Sequence, residues 1–103
     1  MDTVEPPESS EARRDRLTKQ YSDRLDHLQD LLIQRRESRT RMQINEDIRA
    51  VNVVNQTFDQ HARLMQQYRE EKKRFEDLTA KITSLQSELS KLQDQVLESA
   101  KLI

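Results

Sequence analysis

The chain has no glycine, no cysteine and no tryptophan among its 103 residues, and its only two prolines, Pro6 and Pro7, are adjacent. Each absence excludes a class of structure. Without cysteine there is no disulfide framework to staple a small fold. Without glycine there is no phosphate-binding loop and no dinucleotide fingerprint. With so little Gly and Pro, repeated reversal lacks its turn chemistry, and sheet folds drop out as well. Hydrophobic residues make up only 33% of the chain, against roughly 45–50% in an ordinary domain. A chain of this length with so thin an apolar supply is a poor candidate for a compact globule.

Long hydrophobic runs are missing too. No stretch approaches the roughly 18 apolar residues of a membrane span, so no membrane crossing is expected. The first five residues, Met-Asp-Thr-Val-Glu, have neither a basic n-region nor an apolar core, and no signal peptide is expected. Cytoplasmic or nuclear residence is the resulting expectation. Asn55-Gln56-Thr57 fits a glycosylation sequon, but without secretion the match is chance.

What the chain does have is charge. Charged residues are 36% of it, and 18 Lys+Arg against 19 Asp+Glu leave a net charge of −1. So even a balance argues against a nucleic-acid binder that works by bulk electrostatics. Arg35, Arg36, Arg39 and Arg41 form the densest basic cluster, but Glu37 interrupts it and no aromatic residue interleaves. Nucleic acid is therefore not an expected partner. The basic-region zipper factors are excluded because Phe58, Asp59, Glu70 and Glu71 precede the leucine repeat. Arg35-Arg36-Glu37-Ser38 matches the preference of basophilic kinases, which makes Ser38 a candidate phosphorylation site.

Periodicity then organises the chain. Residues 1–9 read as a disordered acidic tail, with Ser9 or Ser10 as the N-cap that ends it. A first amphipathic helix is expected over 10–36, its stripe formed by Leu17, Tyr21, Leu25, Leu28 and Leu32. Gln34 to Arg41 contains no apolar residue, so 37–44 is expected to be a polar basic junction. Thr40-Arg41-Met42-Gln43 fits a capping box and Asn45 is an alternative N-cap. A long coiled-coil helix is expected over 45–103. Because the junction lacks Gly and Pro, a continuous helix is left open beside a break. Opposite charges four apart, such as Asp59–Arg63 and Asp77–Lys81, favour helix throughout.

The long segment carries two apolar registers. Ile44, Ile48, Val51, Asn55, Phe58, Ala62 and Met65 alternate by four and three. Phe75, Leu78, Ile82, Leu85, Leu89, Leu92, Val96, Ser99 and Ile103 do the same in a different phase. The two do not join, and the slip is expected within 66–74. In heptad terms Phe75, Ile82, Leu89, Val96 and Ile103 occupy a, while Leu78, Leu85, Leu92 and Ser99 occupy d. The e positions Thr79, Gln86, Gln93 and Ala100 offer no charge for pairing across a parallel dimer. Thr83, Ser84, Ser87 and Ser90 make the outer surface small and neutral. That pattern suits a helix touched on several sides, as in a three- or four-helix bundle with other chains. Asn55 is a candidate register-fixing residue.

The expected fold is thus all-α, a long coiled-coil helix preceded by a shorter one, extended or folded back as a hairpin, and incomplete without partner helices. The expected partner-helix interface comprises Leu17, Tyr21, Leu25, Leu28, Leu32, Ile44, Ile48, Val51, Phe58, Met65, Phe75, Leu78, Ile82, Leu85, Leu89, Leu92 and Val96. His27 and His61 are the only histidines, they stand far apart in the sequence and cysteine is absent, so no metal and no cofactor is expected. One or two helices build no water-excluding pocket, so no catalytic residue and no enzymatic activity is expected. In composition and heptads over Leu17 to Ile103 the chain resembles the small helical subunits of multi-protein tethers: kinetochore linkers, adaptors that position lysosomes, Mediator-like assemblies. The resemblance implies a scaffold or adaptor subunit whose partners are other helical proteins, a hetero-oligomer rather than a homodimer. A homodimeric coiled-coil spacer or oligomerisation module is the alternative.

Overall fold

The computed structural model describes residues 8–51 and 55–101. The expected acidic tail as far as residue 7, and the terminal heptad position Ile103, lie outside them. Helix α1 spans Ser10–Val51, 42 residues, and helix α2 spans Phe58–Lys101, 44 residues. Each runs roughly 65 Å at helical rise, and α2 folds back along α1. The product is an antiparallel helical hairpin with extents of 76 × 33 × 15 Å. The all-α, coiled-coil class expected from the sequence is what forms.

The reversal sits one helix-half later than the polar junction suggested. Residues 37–44 lie inside α1, and the turn falls between Val51 and Phe58. Two physical reasons explain the difference. Gln34 to Arg41 is rich in Arg, Gln and Glu, which propagate a helix almost as well as Ala. A helix already formed on both sides extends through such residues without a new nucleation cost. Thr40 and Asn45 are accordingly not caps: the Thr40 hydroxyl donates to the Arg36 carbonyl at 3.0 Å, and Asn45 is buried in mid-helix.

The helix ends are satisfied locally. Ser9 is the N-cap of α1, its hydroxyl accepting from the Ala12 amide at 3.1 Å. At α2 a reciprocal capping box forms. The Gln60 amide donates to the Thr57 hydroxyl at 3.2 Å, and the Thr57 amide donates to the Gln60 side-chain oxygen at 3.1 Å. These two bonds satisfy two amides that a helix start otherwise leaves without partners. The Gln56 side chain then reaches back to the Ile48 and Arg49 carbonyls at 3.3 and 3.4 Å. One short segment therefore caps the start of α2 and covers carbonyls in the last turn of α1.

The turn also explains the two registers that failed to join. The first is not one stripe: Ile44, Ile48 and Val51 end α1, whereas Phe58, Ala62 and Met65 begin α2, so no phase slip within a helix is needed. In α2 the seam runs without interruption through Leu64, Tyr68, Glu71, Phe75 and Leu78, all buried or half-buried. Asn55 lies in the turn and is exposed, and so does not fix register at a helix interface.

Two measurements check this architecture. Spin labels at the exposed positions Gln29 and Thr83 should lie within about 20 Å of each other, since packed helix axes are about 8–10 Å apart; one uninterrupted rod would separate them by roughly 80 Å. Thr57→Ala should lower hairpin stability by about 1 kcal/mol, read by thermal or denaturant melting of the helical signal.

Candidate functional site

The seam of α1 is a strict heptad, and half of it is polar. Apart from Gln20, half-buried beside it, its buried or half-buried positions are Arg14, Leu17, Tyr21, Arg24, Leu28, Leu31, Arg35, Ser38, Met42, Asn45 and Arg49. They alternate by three and four from one end of the helix to the other. Hydrophobic spacing alone finds only the lower part of this series, because above Leu31 the seam positions are Arg, Ser, Met and Asn.

Towards the open end of the hairpin the seam is apolar. Leu28 and Leu31 of α1 pack with Leu78, Ile82, Leu85 and Leu89 of α2, and Tyr21 lies against the group. Ile82 is only 2% exposed. Leu17 and Leu92 are buried further along. The α2 zipper is therefore occupied by this chain's own first helix.

Towards the turn the seam is held by polar contacts. The Asn45 side-chain amide donates to the Leu64 carbonyl at 2.9 Å, while its oxygen accepts from the Arg49 guanidinium at 2.8 Å. That guanidinium lies over the Tyr68 ring, 4.9 Å from its centre, a cation–π arrangement. Hydrogen bonding to Glu46 and partial desolvation push the Tyr68 phenol above its ordinary value. One step nearer the middle, the fully buried Ser38 hydroxyl donates to the Glu71 carbonyl at 3.4 Å. Arg41 donates to the Glu71 carboxylate at 2.7 Å. Burial pushes the Glu71 carboxyl up, but hydrogen bonding from Ser38 and the Arg41 guanidinium outweigh it and hold it below the usual carboxylate value.

These contacts correct two expectations about the middle of α1. The segment expected to pack least contains the most buried of the described residues, Ser38, at 0% exposure. In the closed hairpin its hydroxyl is out of a kinase's reach. Arg41 is likewise not part of a free basic cluster, since Glu71 pairs with it.

The seventeen residues expected to face partner helices divide into two sets. Leu17, Tyr21, Leu28, Met65, Phe75, Leu78, Ile82, Leu85, Leu89, Leu92 and Val96 are buried or half-buried along the hairpin. Leu25, Leu32, Ile44, Ile48, Val51 and Phe58 are exposed on it. Two stripes overlap on the first half of α1, and Leu31, one position from Leu32, enters the seam instead. Spacing could not separate them because both stripes are leucines three and four apart. Ile44, Ile48, Val51 and Phe58 gather towards the turn, where Val51 and Phe58 are 80% and 85% exposed.

The two flanks of the hairpin differ in charge. On one, an open groove of about 590 Å³ is lined by Gln34, Glu37, Arg41, Glu70, Lys73, Arg74, Asp77, Leu78 and Lys81, and further along Arg24 pairs with Glu88 at 3.1 Å. On the other, Leu32 lies beside Phe75 and Thr79 together with Arg35, Arg36 and Arg39, and Thr18 and Tyr21 lie beside Gln93, Val96 and Leu97. Heptad positions on this second flank read Thr18, Ser22, Leu25, Gln29 and Leu32 on α1, and Thr79, Thr83, Gln86, Ser90, Gln93, Leu97 and Ala100 on α2. Not one of those twelve positions is charged.

Among the described residues, no three His, Asp or Glu side chains converge as a metal site, and neither helix is long and apolar enough to cross a membrane. In comparisons with known proteins, no family model, no curated sequence and no solved structure matches the chain.

The Glu71 contacts give the hairpin a defined acid response. A carboxylate held below its ordinary value of 4.5 stabilises the fold above that pH and stops doing so as pH falls through its depressed folded value. Glu71→Gln should therefore destabilise the hairpin by about 1 kcal/mol at neutral pH. The gap to the parent chain should close as the melting experiment is repeated at successively lower pH below 4.5.

Proposed function

We propose that the chain is a non-enzymatic scaffold or adaptor subunit of a multi-protein complex, of tethering, trafficking or kinetochore-like type, acting by helix-bundle formation. The observation that carries this reading is the set of large apolar residues left outside the closed hairpin, above all Ile44, Ile48, Val51 and Phe58 towards the turn. Monomeric soluble proteins rarely leave neighbouring apolar side chains in water without a use for them. An amphipathic helix laid against this end would cover them at the usual three-and-four spacing. A long, narrow shape supports the same reading, because a rod presents contact surface along its length and encloses no cavity for chemistry. Other helical proteins are the proposed partners, in the cytoplasm or nucleus.

A homodimeric spacer or oligomerisation module is the second reading, favoured by the uncharged flank on the other half of the rod.

The test is recovery of the tagged full-length chain with its stoichiometric partners from cells, alongside the double variant Ile48→Asp with Phe58→Asp. Both positions are exposed, so helix content by circular dichroism should be unchanged. The partners should be lost from the variant, because a charge at the centre of a helix contact must be desolvated without a counter-ion. Equal recovery of partners by both proteins would overturn the assignment of this end as the contact. Recovery of no stoichiometric partner by the parent chain would overturn the scaffold reading itself.

A further inference from the structure

The flank that carries Leu32 is basic at the middle of the rod. An open groove of about 490 Å³ there is lined by Leu32, Arg35, Arg36, Arg39, Phe75 and Thr79. The heptad positions facing this flank, over 25–43 on α1 and 65–86 on α2, hold Arg36, Arg39, Arg69 and Lys72 against a single acid, Glu76. Thr18 lies beside Gln93 and Leu32 beside Thr79, and one heptad further the same register sets Arg39 opposite Lys72. Like charges opposed across two helices destabilise each other. On the charged flank, by contrast, Arg24 and Arg41 each meet a carboxylate, of Glu88 and Glu71. No ion pair among the described residues includes Arg35, Arg36, Arg39 or Lys72.

We propose that this groove docks an acidic amphipathic helix of a partner protein, laid along the flank as a third helix of the bundle. Charge complementarity selects the occupant. Guanidinium groups on the rim suit carboxylates, which they bind with two parallel hydrogen bonds. A carboxylate placed between Arg39 and Lys72 also removes the repulsion that the closed hairpin leaves there. A two-fold axis through the groove would set these arginines against their own copies, so like charge opposes a second copy seated on it. Leu32, 37% exposed, and half-buried Phe75 give the groove an apolar floor, which an apolar side chain covers and a free anion does not. The Thr79 hydroxyl is already committed to the Phe75 carbonyl at 2.9 Å, which leaves the arginines as the groove's donors.

The rest of the flank sets where the partner carries its acids. Beyond Leu32 the groove continues past Leu25, Gln29, Thr83 and Gln86, all uncharged. Further towards the open end, the register fixed by the Ser38–Glu71 and Asn45–Leu64 contacts brings Glu11 and Asp15 beside residues 93–100, where a partner's carboxylates are repelled. The acids therefore belong at one end of the docked helix, and its apolar side chains run from there along Leu32 and Leu25. Residues 25–39 cover roughly 21 Å of helix, the length of about 14 residues. A concave floor between two helices admits a helix bearing side chains and holds a flat membrane surface away. This proposal rests on the helix-bundling reading and names the chemistry of a contact separate from the one towards the turn.

Fluorescence anisotropy of labelled peptides titrated with the full-length chain tests it. The probes are three peptides of about 14 residues, stapled into helices, with leucines at the same three-and-four spacing flanked by Glu, by Gln or by Lys. The Glu peptide should bind, less tightly as salt is raised, and the other two should bind about tenfold or more weakly. Arg36→Glu with Arg39→Glu, both exposed, should lose the Glu peptide and gain the Lys peptide. Arg39→Gln should leave the melting temperature of the hairpin unchanged or raise it, since the change removes a like charge facing Lys72. A melting temperature lowered by Arg39→Gln would overturn the proposal by giving that arginine a partner within the hairpin. Equal binding of the Glu and Gln peptides would also overturn it, as would tighter binding of a short DNA duplex or of anionic phospholipid vesicles. Self-association of the parent chain that disappears with the double charge reversal would assign the groove to a second copy instead. Each of these outcomes leaves the scaffold reading standing if the partners lost by Ile48→Asp with Phe58→Asp are still recovered by the parent chain.

Discussion

A heptad seam that closes within one chain must choose its register, and everything else in this molecule follows from that choice. Two antiparallel helices with leucine-rich seams can slide past each other by a heptad at little apolar cost, because one leucine layer resembles the next. Here the polar half of the seam removes the freedom. Asn45 meets the Leu64 carbonyl and Ser38 meets the Glu71 carbonyl, two pairs with the same sum of residue numbers and hence one register. Sliding by a heptad offers those two groups another main-chain carbonyl, but it parts Arg41 from Glu71, Arg24 from Glu88 and Arg49 from the Tyr68 ring, side-chain pairs that the repeating backbone does not restore. Carried outwards, the same register sets Leu31 opposite Leu78 and Leu17 opposite Leu92. The polar layers specify; the leucine layers stabilise. A single buried asparagine plays the same part in many coiled coils.

The helical class, the α2 heptads and the Ser9 cap were legible in the residues because each rests on a local or periodic signal. The position of the reversal was not. An all-polar stretch was read as a place with nothing to bury, when its polar residues are the seam: Arg35, Ser38 and Asn45 continue the heptad begun by Leu17. A search for apolar spacing is blind to a seam satisfied by hydrogen bonds. The true turn did carry a signal, the Thr57-Phe58-Asp59-Gln60 capping box, but it sits among Val and Phe residues that resemble a helix stripe. Placing the break there also dissolves the mismatch between the Ile44–Met65 and Phe75–Ile103 registers. The large apolar residues of both helices were named from the sequence, but those buried in the seam and those left exposed were merged. Only a second helix in place separates Leu31 from Leu32.

Stability is distributed unevenly along the rod. The contiguous apolar cluster lies away from the turn, from Tyr21 to Leu31 and from Leu78 to Leu89. The half near the turn has fewer buried apolar groups and depends on directional contacts with charged members, Arg41–Glu71 and Arg49–Asn45. Contacts of that kind lose strength when water reaches them, so this half is the first to open under acid or denaturant. It is also the half that exposes Ile44, Ile48, Val51 and Phe58. The proposed partner helix would add apolar cover where the hairpin has least of its own.

Charge segregation around the rod completes the physical account. At near-zero net charge, a chain with acids and bases scattered evenly would present mixed charge on every face, and every docking event would have to desolvate some of it. Concentrating charge at Glu37, Arg41, Glu70, Lys73, Arg74, Asp77 and Lys81 keeps one flank strongly hydrated. Between Thr18 and Leu32 the other flank presents Thr, Ser, Gln and Leu, groups whose burial costs little or is favourable, and its arginines, Arg35, Arg36 and Arg39, gather beside Leu32. A neutral strip of this kind is not sticky enough to aggregate, since its leucines are separated by hydroxyl and amide side chains. It nevertheless has no charge to oppose close packing. The arrangement concentrates charge on one side of the hairpin and leaves the exposed Leu25, Leu32 and Leu97 on the other.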